Sequence, residues 1–123
     1  MELNSAIPIW SQLCDEFSRH ITNGSWPPGS KIPSVRDLAQ MVGANPNTVQ
    51  RALAEREREG LAFSERTSGR FVTDDEERIS LSRQGIFKSL TDQFTLAMKK
   101  AGATLPQTLE LIKQQWNEGE SHD

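Results

Sequence analysis

The strongest constraint on the fold of this chain lies in residues 31–72, which read KIPSVRDLAQMVGANPNTVQRALAEREREGLAFSERTSGRFV. Ser34 can cap a helix whose apolar residues recur at i, i+3, i+4 and i+7, and Gly43 can end it in a left-handed conformation. Asn45 and Pro46 give a second start signal, and Gly60 gives a second stop. The segment therefore predicts a short helix, a tight turn and a second helix.

A β-ribbon is predicted directly after the second helix. Its strands are residues 61–64 and 70–73, joined by a turn through residues 65–69. Phe63, Phe71 and Val72 have high β-propensity, and Gly69 allows the turn geometry. A helix-turn-helix followed by such a ribbon, or wing, is an arrangement that places one helix in the major groove of DNA. For the wing alone, an ordinary solvated hairpin is the alternative.

The second helix turns a polar face away from its apolar stripe. That face carries Asn47, Gln50 and Arg51, with Thr48 on its flank. Asn and Gln can form bidentate hydrogen bonds with adenine, and Arg can do so with guanine. Thr48 and the N–H groups at the start of the helix are suited to phosphate. We interpret this face as a DNA-reading surface; the alternative is a polar face that meets only water.

Four motifs, PSVRDLA, NPNTVQRAL, Glu-Gly-Leu and GRFV, follow one another along the chain. Together they resemble the winged-helix domain of GntR-type bacterial transcription regulators, strongly over residues 8–73. The Asn-Pro-Asn-Thr-Val run and the short remainder of the chain are similar to the YtrA-like branch, whose members carry two dimerisation helices in place of a large effector domain. One position departs from the family's usual wing, because Thr67 stands where a glycine is common.

The resemblance implies DNA contacts from residues of both helices and of the wing. They are Arg36, Asn45, Asn47, Thr48, Gln50, Arg51, Arg66, Ser68 and Gly69. We add Arg70 to this set because it lies near the predicted tip of the wing.

The charge distribution is compatible with a DNA-binding surface despite an acidic total. The 123 residues carry a net charge of −3. Residues 31–72 alone carry seven basic and five acidic side chains, a net charge of +2. Acidic residues elsewhere suppress loose, non-specific binding while the proposed contact surface stays basic. The chain is long enough for one small domain and an appendage.

The remainder of the chain predicts two helices with more apolar surface than a winged helix can cover. An acidic cluster at residues 74–77 starts a long amphipathic helix that runs to Ala101, and Thr104 caps a last helix. We divide the chain into residues 1–73 and 74–123 and predict that the second part forms a homodimer. The residues at its centre would be Phe87, Leu90, Phe94, Leu109, Ile112 and Trp116. An intrachain hairpin folded back on the winged domain is the alternative.

Other classes of protein find no support in the sequence. There is no Ser/His/Asp arrangement, metal-ligand spacing or Gly-rich phosphate loop, so we expect no enzyme, no cofactor and no metal. No segment has the length and apolarity of a membrane span, and the single cysteine, Cys14, fits a reducing cytoplasm. A small-molecule effector is left open, since the chain carries no dedicated effector domain.

The predicted fold is mostly α with a small β-ribbon: an N-terminal winged helix-turn-helix followed by a two-helix C-terminal dimerisation segment. The function that fits is a sequence-specific transcriptional regulator in the cytoplasm, a repressor that binds double-stranded, pseudo-palindromic operator DNA as a homodimer. The alternative is a winged-helix protein–protein adaptor that binds no nucleic acid, which is consistent with the net charge of −3.

Overall fold

The computed structural model describes residues 3–121 and confirms the mostly helical fold with one β-ribbon. In chain order the elements are α1 (Ile9–Thr22), α2 (Val35–Val42), α3 (Pro46–Arg58), β1 (Ala62–Glu65), β2 (Gly69–Val72), α4 (Glu76–Lys100) and α5 (Leu105–Ser121).

The ends of α2 and the start of α3 are fixed by the predicted capping residues. The Ser34 side chain accepts a hydrogen bond from the backbone N–H of Asp37 at 3.1 Å, which satisfies an otherwise unpaired donor. Gly43 ends α2 in the left-handed conformation, with φ of 68°. Asn45 then accepts from the backbone N–H of Asn47 at 2.8 Å. The turn between the two helices is therefore specified by local chemistry.

The core lies where α1 crosses α3. Leu13, Phe17 and Ile21 of α1 and Val49 and Leu53 of α3 have at most 1% of their surface exposed. Their spacing on each helix forms one apolar stripe, and burying such a stripe is the main driving force for this packing. The apolar face of α3 thus packs against α1, which leaves the opposite face of α3 exposed to solvent.

Both N-terminal tryptophans lie at the edge of this core. Trp10 and Trp26 are half-buried and pack against core residues. The ring of Trp26 lies 5.5 Å from that of Phe17 and 4.8 Å from that of His20.

The ribbon has a shorter turn than the sequence predicted. Its strands pair Ala62 with Val72 and Glu65 with Gly69, so each lies one residue closer to the turn than expected. Leu61 falls outside the strand because its side chain is buried in the core and its N–H bonds to the carbonyl of Arg56. That hydrogen bond belongs to the end of α3, and the first strand can begin only after it.

The loop before α2 adds a short edge to the wing. The N–H of Ile32 donates to the carbonyl of Arg70 at 2.8 Å, and the N–H of Val72 donates to the carbonyl of Ser30 at 2.9 Å. Lys31 forms an isolated bridge with Phe71 between these two bonds. The second strand of the wing, β2, is therefore hydrogen-bonded on both sides, by β1 and by residues 30–32.

The chain divides into two compact units, one of residues up to Gln84 and one from Gly85 onward, and α4 contributes to both. In the first unit, Ile79 is buried and the Nε of Arg83 donates to the carbonyl of Thr22, at the end of α1, at 2.9 Å. In the second unit, Thr104 caps α5 by accepting from the N–H of Gln107 at 3.3 Å. The proposed domain division after residue 73 stays a prediction.

Candidate nucleic-acid interface

The first two turns of α3 present the polar face that the sequence predicted. Asn47, Gln50 and Arg51 are exposed, and Thr48 is half-buried on the flank. The Asn45 side chain is occupied as the helix cap, which leaves its amide nitrogen available as a donor. The structure therefore brings these five predicted contact residues together at one end of one helix.

Arg51 is supported by an aromatic ring. Its guanidinium carbon lies 4.2 Å from the centre of the Trp10 ring, within the range of a cation–π interaction. Because Trp10 belongs to α1 and packs on the core, it holds the long arginine side chain against a fixed surface.

The tip of the wing is exposed at Arg66, Thr67 and Ser68. Gly69 has a φ of 113°, which favours glycine, whereas a Cβ atom there would meet only the flexible end of the Lys31 side chain, at 2.9 Å from Cε. Among the described residues, only glycines have positive φ, which means that Thr67 fits this turn in an ordinary conformation.

Arg70 lies between the wing and α3. Its Nε is 2.6 Å from Oε1 of Glu57, and its Nη1 is 3.5 Å from Oε1 of Gln50. Ser64, which pairs with Arg70 across the ribbon, donates to the same Glu57 oxygen. Arg36, by contrast, is exposed near the start of α2. Arg70 thus joins the wing to α3 through its side-chain contacts with Glu57 and Gln50.

Three participants in these contacts were missed from the sequence as parts of the site: Trp10, Glu57 and Ser64. Glu57 follows Gln50 by seven residues, which places both on one face of a helix, and that spacing was a usable signal. Ser64 lies opposite Arg70 in the predicted strands as well as in the structure, but its contact with Glu57 depends on how the ribbon packs against α3.

Two glutamates of α3 each lie beside an arginine that stabilises their ionised form. Partial burial raises the pKa of Glu57, but hydrogen bonds from Ser64 and Arg70 outweigh it and hold the pKa below its usual value. Near the other end of the site, the hydrogen bond from Arg58 lowers the pKa of Glu55. Both carboxylates are therefore ionised at neutral pH, and each is matched by an arginine.

The single cysteine belongs to the core below this surface. Cys14 is buried between α1 and α3, where its Sγ lies 3.8 Å from the carbonyl oxygen of Ala52. Burial raises the pKa of its thiol, although the nearby Arg56 opposes this effect. A buried thiol of raised pKa is a poor nucleophile.

The described residues contain no group of His, Cys, Asp or Glu side chains arranged to hold a metal ion. Within the same part of the chain, no helix is both long and apolar enough to pass through a membrane.

The second compact unit exposes the predicted dimer residues. Phe87, Leu90, Phe94, Leu109, Ile112 and Trp116 are each between 38% and 70% exposed. Three of them also line an open, mostly apolar groove of about 430 Å³ between α4 and α5, whose lining is Phe94, Met98, Leu111, Ile112, Gln115 and Trp116. Large exposed apolar patches are uncommon on monomers and mark interaction sites.

A family model described as "Bacterial regulatory proteins, gntR family" matches residues 10–72. The chain belongs to this family. The matched residues contain α2, α3, the whole wing and all of α1 except its first residue. The resemblance inferred from the motifs is therefore confirmed, and the chain is a transcriptional regulator with a winged helix-turn-helix.

Individual relatives extend the similarity beyond the winged helix. The chain is 32% identical to the HTH-type transcriptional repressor YtrA of Bacillus subtilis (strain 168) over 111 residues, which cover 89% of this chain and 85% of that protein. The structure is similar to that of a GntR family transcriptional regulator from Listeria monocytogenes, with a TM-score of 0.83 and 32% identity over 91% of this chain and 98% of that one. These relatives are regulators, in agreement with the expectation that the chain is not an enzyme.

A third similarity concerns the DNA-binding domain of AraR, solved in complex with operator ORR3. It covers 59% of this chain and 88% of that one, with a TM-score of 0.53 and 29% identity.

Proposed function

We propose that this regulator is a repressor that binds a pseudo-palindromic operator as a homodimer, with α3 in the major groove. The proposal is supported by the similarity to YtrA, which is named a repressor, and to the AraR domain, which was solved with its operator. The observation that carries it is the polar face at the start of α3, which is exposed although the opposite face of the helix is packed into the core.

The side chains of this face divide into two roles. Asn47, Gln50 and Arg51 reach outward and are suited to base edges in the groove. Asn45 and Thr48 lie at the N-terminus of α3, where their side-chain donors and the positive end of the helix dipole favour a phosphate. Base contacts would give sequence preference, whereas phosphate contacts would set position and orientation.

Contacts outside α3 are proposed for α2 and the wing. Arg36 is exposed near the start of α2, so it is available to a phosphate beside the groove. Arg66, Ser68 and Gly69 lie at or beside the exposed tip of the wing, where they would meet the DNA backbone or the adjacent minor groove.

The homodimer is proposed from the apolar surface of the second unit. The six exposed side chains named above would be covered by the same surface of a second copy, as a twofold axis requires. Two copies of α3 would then read two half-sites in opposite orientation, which gives the operator its pseudo-palindromic form. Light scattering at micromolar concentration tests this step directly, and a monomer mass would refute it.

The experiment that tests the whole proposal is selection of DNA from a random duplex library by the purified chain, with the affinity of the selected duplexes followed against salt. We expect enrichment of an inverted repeat and a steep loss of affinity with salt. A variant with alanine at residues 47, 50 and 51 should enrich nothing. Arg58→Ala, at the far end of the same helix, is the matched control and should enrich the wild-type repeat. Weak binding by the wild type without enrichment would favour the adaptor function.

A further inference from the structure

One orientation of the Gln50 amide is favoured by its neighbour from the wing. Arg70 approaches Gln50 with Nη1 at 3.5 Å from Oε1. Arginine carries five N–H donors and no acceptor, so only the oxygen side of an amide can face it favourably. The NH₂ group of Gln50 is therefore directed away from Arg70.

Arg70 is itself held in place from two elements. Its Nε lies 2.6 Å from the Glu57 carboxylate of α3, and its side chain is only 16% exposed. Ser64, opposite Arg70 in the ribbon, donates to the same carboxylate oxygen. A charge-assisted hydrogen bond between two partly buried groups is stronger than one at an open surface, so the guanidinium has a defined position beside Gln50.

This arrangement changes what Gln50 can recognise. A free Gln pairs with adenine by accepting from N6 and donating to N7, which needs both ends of its amide. Here the oxygen end is next to a positive charge that repels the N6 amino group of adenine. Guanine presents two acceptors, N7 and O6, and both are attracted by the Gln50 NH₂ and by the neighbouring guanidinium.

We propose that Arg70 is a positioning residue, which fixes the Gln50 amide as a hydrogen-bond donor and so makes Gln50 select a guanine–cytosine pair over an adenine–thymine pair. The inference rests on the proposed function, since it requires that α3 reads DNA. The main contribution of Arg70 would then be to orient Gln50, and not to contact DNA itself.

The test uses the operator obtained by selection. Gln50→Ala identifies the base pair that Gln50 reads as the position whose preference is lost. In the wild type that position should prefer guanine–cytosine. Arg70→Met keeps the length of the side chain but removes its donors and charge. In this variant, the affinity for the guanine–cytosine duplex divided by that for the adenine–thymine duplex should fall by about fivefold or more. The change should disappear in the double variant with Gln50→Ala.

Arg66→Met is the matched control, because it removes the same charge from the tip of the same wing, where Arg66 is exposed. It should lower the affinity for all duplexes alike and leave the ratio unchanged. Melting curves show whether Arg70→Met is folded. If it is not, the base preference of the wild type at the position that Gln50→Ala identifies still tests the inference.

Three results would overturn the inference. They are an adenine–thymine preference of the wild type at the Gln50 position, no position that depends on Gln50, and an unchanged ratio in folded Arg70→Met. Each leaves the proposed function intact if an inverted repeat is still enriched. A wild-type chain that enriches no sequence would instead overturn the proposed function, and this inference with it.

Discussion

At the scale of single residues, the two neighbouring side chains Gln50 and Arg51 of α3 are each contacted by a residue of a different element. Arg51 lies over Trp10 of α1, and Gln50 faces Arg70 of the wing. Successive residues of a helix point about 100° apart, so one side chain lies beside each neighbouring element. Holding these side chains before DNA arrives reduces the entropy lost on binding.

The role of Trp10 can be separated from its part in the core. Trp10→Leu keeps an apolar side chain but removes the ring under Arg51, so we expect DNA affinity to fall by about two- to fivefold. Trp26→Leu is the matched control, because Trp26 is also half-buried at the edge of the core but stacks on His20. Fluorescence anisotropy with labelled operator measures the affinities. Equal losses in both variants would assign the effect to packing alone.

Arg51 and Arg36 should differ in how their loss affects sequence preference. Arg51→Ala should cost about 1–3 kcal/mol of binding free energy on the selected operator and relax the preference for the base it reads. Arg36→Ala should weaken all duplexes alike and reduce the salt slope by about one. Affinities on matched and single-substituted duplexes at several salt concentrations give both quantities. Uniform loss over every duplex for both variants would contradict the division into base and phosphate contacts.

At the scale of elements, the end of α2 depends on one backbone conformation. Gly43 has a φ of 68°, and a Cβ atom there would have no neighbour within 4 Å, so an alanine would be strained without clashing. We expect Gly43→Ala to lower the free energy of unfolding by about 1 kcal/mol, the net of left-handed strain and reduced freedom of the unfolded chain. Gly43→Asn should cost less, because Asn adopts this conformation more readily. Urea denaturation compares the two, and equal losses would mean that left-handed strain does not determine the cost.

The elements that the sequence predicted well are those fixed by neighbours along the chain. The caps at Ser34, Gly43 and Asn45 involve hydrogen bonds or dihedral angles within four residues, and all three were predicted correctly. Each strand of the ribbon lies one residue closer to the turn than predicted, because the start of the first strand depends on how α3 ends. The bridge from Arg70 to α3 joins side chains 13 and 20 residues apart, and no local pattern specifies such a distance. Predicting it requires the packed structure.

At the scale of the whole molecule, charge and apolar surface are distributed over different parts of the chain. The segment that forms α2, α3 and the wing carries a net charge of +2 in a chain of net charge −3. The second compact unit instead exposes large apolar side chains on both of its helices. The first distribution favours attraction of DNA to one surface, and the second favours association with another copy.

The dimer proposal predicts that two equally exposed leucines of α4 differ in effect. Leu90 is 58% and Leu96 is 55% exposed, and they point about 120° apart on the helix. Leu90→Glu would put a charge at the centre of the proposed interface, whereas Leu96→Glu would put it on another side of α4. We expect at least about a tenfold higher dimer dissociation constant for Leu90→Glu, because an unpaired charge is costly to bury, and little change for Leu96→Glu. Analytical ultracentrifugation measures both dissociation constants.

Leu90→Glu should also lose the advantage of the inverted repeat over a single half-site while keeping its affinity for that half-site. If both variants stay dimeric and keep that advantage, the dimer uses a surface other than the one proposed.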